Sequence, residues 1–239
     1  MIPAVLQGRD CTDKGIIKQA TAGSWGLALS RGLDSPAKKQ DPNEDSCGVV
    51  VGTACSVAVV ADAHFGQSAA ELAVEHLLML AKTDLLQGTP TVDRAEWITA
   101  ALKETNRWVW SAPGPSACAL LVVWVHHRSL WWGSVGDCRL YLVRDNHSQV
   151  LNPLHGRYVG DRRWVSVTKG MHALCAGDRL VLASDGLPEC RYGRETLGAA
   201  DVSAAVKSLD ARTGVRALVR RAFQGGGEDN VAVVMCVID

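Results

Sequence analysis

Four aspartates in this 239-residue chain stand against strand-length apolar runs. Asp45 precedes residues 47–51, Asp62 follows 57–61, Asp185 follows 180–184 and Asp229 precedes 231–238. A single aspartate beside a buried strand is ordinarily a turn residue or a cap. Four of them, three with a distinctive neighbour in Glu44, Gly186 or Asn230, suggest chemistry instead. If these strand ends meet at one edge of a core, the carboxylates crowd together. They then raise one another's pKa values unless cations neutralise them. Oxygen-only donors suit hard ions such as magnesium or manganese.

The elements that must position these acids follow from the apolar pattern. Runs rich in Val and Ala at 47–51, 56–61, 118–125, 130–135, 140–143, 179–183 and 231–238 are strand-length and bounded by Gly, Asp, Asn or Pro. Residues 126–129 read as a hairpin turn. Residues 68–86 keep helical spacing through Leu72, Leu77 and Leu80, and 92–110 through Ala95, Ile98, Leu102 and Val109. Residues 201–209 and 214–223 are weaker helices, and 32–41, 112–116 and 152–163 are loops. Strands and helices come in runs rather than alternating singly. That predicts an α+β fold with helices packed outside largely antiparallel sheets. No repeat or linker divides the chain, so residues 1–239 are expected to form one catalytic domain.

Composition removes several functions. Lys plus Arg total 25 and Asp plus Glu total 25, so the net charge of zero offers no pull toward nucleic acid or an anionic membrane. The longest apolar run, 117–125, is too short to span a bilayer. The N-terminus lacks the pattern of a signal peptide. The eight cysteines are scattered without a CxxC pair and read as reduced, mostly buried thiols of a cytoplasmic protein. Cys138 and Arg144 share the spacing of cysteine-dependent phosphatases, but the residues between them alternate like a strand, so the match is taken as chance. Gly225–Gly227 reads as a turn, not a phosphate loop, and His126-His127 as a hairpin tip. Trp108, Trp110, Trp124, Trp131, Trp132 and Trp164 are assigned by default to the core, with an exposed interaction surface as the alternative.

Five segments together carry a family resemblance. Asn43-Glu44-Asp45, Asp62-Ala63-His64-Phe65-Gly66, Gly136-Asp137-Cys138-Arg139, Ser184-Asp185-Gly186 and Glu228-Asp229-Asn230 occur in the order found in the metal-dependent protein phosphatases of type 2C. The chain resembles that family from about Gly23 onward, and the resemblance implies two packed, mostly antiparallel β-sheets, a β-sandwich flanked by pairs of α-helices. The resemblance implies two manganese or magnesium ions bridged by water, with a weaker third ion. Asp62 would bridge the ions, and the Ala63 carbonyl would add an oxygen. Asp185 and Asp229 would hold one ion, Glu44 and Asp45 would support the other side, and Asp137 would serve the third. The bridging water, made acidic, would attack phosphorus in line, and His64 would protonate the leaving oxygen. The substrate implied is phosphoserine or phosphothreonine in a protein, acted on by a monomer.

The sequence departs from the family pattern in four places. Gln40 stands where the family commonly has a phosphate-binding arginine, leaving Lys38, Lys39 or Arg31 to compensate. Ala63 replaces glycine, which would strain an unusual backbone angle. Cys138 replaces serine, and the segment from Asp137 to Asp185 is short, with its flap reduced to 152–163. Two other readings stay open: a pseudophosphatase that binds or regulates, and a metal-dependent phosphatase of small metabolites.

Overall fold

The computed structural model describes residues 2–34, 42–86, 93–114, 116–191 and 194–239. Gln40, Lys38, Lys39, Pro115 and Val92 lie outside the described residues.

Among the described residues, twelve strands form two six-stranded sheets. The first contains β1 (Ile2–Gln7), β4 (Asp45–Val51), β5 (Cys55–His64), β6 (Ala117–His126), β7 (Ser129–Val135) and β10 (Thr168–Ala173), in the order β1-β4-β5-β6-β7-β10. The second contains β2 (Lys18–Ala22), β3 (Trp25–Ser30), β8 (Arg139–Arg144), β9 (His147–Val150), β11 (Arg179–Ala183) and β12 (Val231–Val237), in the order β2-β3-β12-β11-β8-β9. All the pairings between these strands are antiparallel. Helices α1 (Ser68–Leu86) and α2 (Arg94–Ser111) cover the outer face of the first sheet. Helices α3 (Ala199–Val206) and α4 (Ala211–Gly225) cover that of the second. The expected helix-flanked sandwich is therefore observed.

Because both faces of the central strands are covered, they are apolar along most of their length yet still obey the two-residue period of a strand. In β5, Val57, Val59 and Ala61 pack toward α1 and α2, while Ala58 and Val60 pack between the sheets. In β4, Cys47 and Val49 belong to the inter-sheet core and Val50 to the helix side. Asp45 and Asp62 continue the inter-sheet stripes, and they are direct partners across the β4–β5 ladder. Strand register thus aims both carboxylates into the gap between the sheets.

Three expectations need correction. Asp45 and Asp62 lie inside strands rather than beside them, because ladder hydrogen bonds run past the last apolar residue. Five strands were not foreseen. Of these, β2, β9 and β10 are sheet edges with polar residues, where a one-sided apolar pattern is weak. Trp108, Trp110 and Trp164 are exposed, not core. Helix α1 matches its expected bounds, and α2 begins at Arg94, because the Asp93 side chain accepts from the amides of Ala95 and Glu96 and caps it there.

Candidate functional site

The five motif segments meet at one edge of the sandwich, and the residues between the acids tie them together. The Ser184 hydroxyl donates to Asp45 Oδ2 at 2.6 Å and accepts from the Ala232 amide at 2.9 Å, joining the start of β4 to the end of β11 and to β12. The Glu44 amide donates to Asn230 Oδ1 at 2.9 Å, and Asn230 Nδ2 donates to the Arg31 carbonyl at 3.1 Å. Gly186 lies so close to Asn230 that a Cβ there would stand 1.8 Å from the Asn230 carbonyl oxygen. Only glycine lets the turn carrying Asp185 nest against the turn carrying Asp229. The Glu44 carboxylate accepts from the Gly66 amide, which holds the turn after His64.

Asp45 is 1% exposed and Asp62 7%. Burial pushes the Asp45 carboxyl well above the usual range despite the Ser184 hydrogen bond, and Asp185, Asp229 and Glu44 push it further. Burial does the same to Asp62, helped by Asp185 and Asp45. Asp137, on the turn between β7 and β8, is raised by burial and by Asp185. Tyr158, from the 152–163 segment, joins the same group. Its hydroxyl lies 3.5 Å from Asp137 Oδ2, its ring meets the His64 ring edge-on at 4.4 Å, and burial and the neighbouring acids push it up to about 12.

All eight residues singled out from the sequence therefore lie at one locus. Asp45 feels the charge of Asp185, Asp229 and Glu44, Asp62 that of Asp185, Asp45 and Asp229, and Asp137 that of Asp185 and His64, while Ala63 sits between Asp62 and His64 in β5. The donor chemistry fits hard divalent cations: oxygen atoms only, buried at Asp45, Asp62 and Asp229 and half-buried at Glu44, Asp137 and Asp185, and repelling one another. Asp137 Oδ1 and His64 Nε2 are buried without a hydrogen-bond partner. Among the described residues, though, no group of three or more acidic, histidine or cysteine side chains is ready-made to hold an ion.

A family model described as Stage II sporulation protein E (SpoIIE) matches residues 58–239. The chain belongs to the SpoIIE family. No curated protein matches it significantly. Among solved structures, this SpoIIE-family chain is similar to a bacterial serine phosphatase, with 17% identity over 90% of this chain and 97% of that one and a TM-score of 0.75. It is similar to the PPM Ser-Thr phosphatase MsPP from Mycobacterium smegmatis, in complex with cacodylate, at 22% identity over 92% and 100%, with a TM-score of 0.73. The catalytic domain of the serine threonine protein phosphatase PstP, in complex with two manganese ions, matches at 23% identity over 90% and 98%, with a TM-score of 0.71. At these identities the likeness establishes the PPM phosphatase fold.

The departures resolve unevenly in this SpoIIE-family chain. Ala63 is ordinary strand, and the left-handed backbone falls instead on Phe65 at φ 64 and Gly66 at φ 109. Cys138 is buried, and burial with Asp62 and Asp137 drives its thiol well up, while Arg144 pairs with Asp178 at 2.6 Å, so the two form no cysteine-phosphatase site. Residues 152–163 are irregular but tied down: His155 donates to Gly136, Val159 and Cys118 exchange two backbone bonds, and Asn106 holds Gly160 and Arg162. Sequence reasoning missed Ser184 and Asn230 as the ties between motifs and Tyr158 as a neighbour of His64. The first two were within quoted motifs, but Tyr158 carried no signal.

Proposed function

We propose that residues 1–239 form a single metal-dependent protein phosphatase domain acting on phosphoserine or phosphothreonine. The observation that carries this reading is the buried acidic cluster, whose members' strongest charged neighbours are other acids, in a SpoIIE-family chain with the PPM fold.

Asp185 and Asp229 would hold one divalent ion, Glu44 and Asp45 would support the other side, Asp62 would be common to both with the Ala63 carbonyl adding an oxygen, and Asp137 would serve a weaker third. When bound, manganese or magnesium supplies positive charge against the phosphoryl oxygens and a more acidic water. The chain's own residues do the rest. Ser184 and Asn230 orient the acids. Tyr158 of the 152–163 segment lies against Asp137 and His64. His64 Nε2, which has no hydrogen-bond partner, gives its proton to the serine or threonine oxygen as the bond to phosphorus breaks. Inorganic phosphate leaves, and no covalent phospho-enzyme forms.

A cytoplasmic setting is supported by eight unpaired cysteines, and among the described residues no helix is long and apolar enough to cross a membrane. The test is manganese-dependent hydrolysis of phosphoserine and phosphothreonine peptides, set beside nucleotides and sugar phosphates. Peptide turnover that is lost in Asp62→Ala supports the proposal. Preference for the small phosphates moves the assignment to a metabolite phosphatase, and metal binding without any turnover moves it to a binding module.

A further inference from the structure

Beside His64 the chain presents a residue that hydrolysis itself does not require. Phe65 is 80% exposed and holds φ at 64, a conformation uncommon and strained for a bulky side chain. It is kept there by the turn that follows. The Gly66 amide donates to the Glu44 carboxylate, the Ser116 hydroxyl donates to the Gly66 carbonyl, and the Ala69 amide donates to Ser116 Oγ at 3.2 Å. Backbone strain combined with exposure at the rim of a site is a reason to look for a ligand.

The Phe65 ring borders a cleft of about 740 Å³. Its other walls include Val109, Trp110, Ala117, Tyr158 and Asp161, and Trp110 is 49% exposed. Glu44 and His64 also line it, so the cleft is continuous with the acidic cluster. No lysine or arginine lines it among the described residues. The far wall is fixed. The Gly160 amide donates to Asn106 Oδ1 at 3.0 Å, and Asn106 Nδ2 donates to the Arg162 carbonyl at 2.9 Å. Gly160 has φ 87, and a Cβ there would lie 2.6 Å from Val109 Cγ1, so only glycine lets this segment lie so close to α2. A pre-formed, mostly apolar cleft with a few polar groups at one end is the usual form of a ligand subsite.

We propose that this cleft seats a large apolar or aromatic side chain of the phosphoprotein, adjacent to the phosphorylated residue, with Phe65 and Trp110 as its specificity-determining walls. The inference rests on the phosphatase reading above and specifies which substrates that site prefers. An acidic neighbour is disfavoured by Glu44 and Asp161. An apolar one gains by covering two exposed aromatic rings that water otherwise wets.

The experiment uses the full chain with manganese and phosphoserine peptides that differ only in the residue flanking the phosphoserine: Phe, Leu, Ala, Lys or Glu. The expected result is kcat/KM about ten-fold higher for Phe or Leu than for Ala, carried mainly in KM. Phe65→Gly, which suits the left-handed backbone, and Trp110→Ala, at an exposed position, should both fold and both bring the series to near parity. A purely structural role would lower all peptides together or shift Tm without changing the ratio, and that result overturns the proposal. So does a flat wild-type series. A preference for Lys that is lost in Asp161→Asn overturns the apolar assignment in favour of a cationic one. If no peptide turns over, the phosphatase reading fails separately, and calorimetric binding of the same peptides decides the subsite. Tighter binding of the Phe peptide, lost in Phe65→Gly, supports it, and equal binding ends it.

Discussion

Asp45 and Asp178 are both 1% exposed, yet the protein treats them in opposite ways. Burial alone would raise the Asp178 carboxyl, but Arg144 reaches it with two nitrogens at 2.6 and 2.8 Å, the Cys175 amide adds a bond at 2.7 Å, and the net effect is a lowered pKa. Asp45 receives one hydroxyl, and its strongest charged neighbours are three acids. The fold therefore solves the buried-carboxylate problem completely at Asp178 and declines to solve it at Asp45 and Asp62. A buried charge without an opposite partner costs stability. Its presence in four converging segments is the cost that the proposed divalent cations would offset.

The largest expected effect separates the two regions by activity. Asp62→Ala should lower kcat/KM on the order of 10³-fold with the fold intact by circular dichroism. Asp178→Ala should leave turnover per folded molecule within a few-fold. Comparable losses in both variants would break the distinction.

Next comes metal linkage. Manganese at 100 times its Kd should stabilise the chain by about 2.7 kcal/mol. At about 2–4 °C per kcal/mol for a chain of this size, that is a Tm increase of roughly 5–10 °C. Thermal scans should show the shift abolished in Asp62→Asn and retained in Asp178→Asn, and the reverse pattern would relocate the ion.

The smallest effect concerns the metal-free protein and pH. Asp45 and Asp62 have folded pKa values above their unfolded values, so the folded chain binds more protons. Their contribution is therefore present at low pH and is lost as pH rises above about 4 toward the folded values. Asp178 is lowered, so its contribution is present above about pH 4 and is lost as pH falls. Metal-free Tm should decline as pH rises from about 5 to 8, and Asp62→Asn should flatten that decline. At neutral pH, Asp62→Asn should stabilise the metal-free chain by about 1–2 kcal/mol. Asp178→Asn should destabilise it by about 1–2 kcal/mol, a modest cost because Arg144 keeps contact with solvent. A destabilised metal-free Asp62→Asn would show that the cluster is internally compensated after all.

Continuous apolar runs were enough to foresee the central strands and to single out Asp45, Asp62, Asp185 and Asp229 at their ends, and the order of the motifs, through the family resemblance, to expect the sandwich. Burial on two faces leaves that continuous Val- and Ala-rich record in β5, β6 and β12. Edge strands such as β10, Thr-Lys-Gly-Met-His-Ala, are half solvated and leave little record. Tyr158 reaches His64 because Val159 bridges to Cys118 and Asn106 grips Gly160, long-range ties that no local pattern announces. The exposed tryptophans misled for a related reason. Residue type predicts burial only on average, and Trp108 spends its ring stacking on His76 at 5.4 Å rather than filling the core.

The pairing of Asp45 with Asp62 across β4 and β5 has one more consequence. A slip of one residue in β4 would turn Asp45 to the opposite face, among the side chains of α1 such as Val74 and Leu77. The carboxylates are offered as a set only by a chain whose sheets have closed in the native alignment. An ion bound by that set would stabilise only molecules in the native register, and would shift the population toward them by mass action.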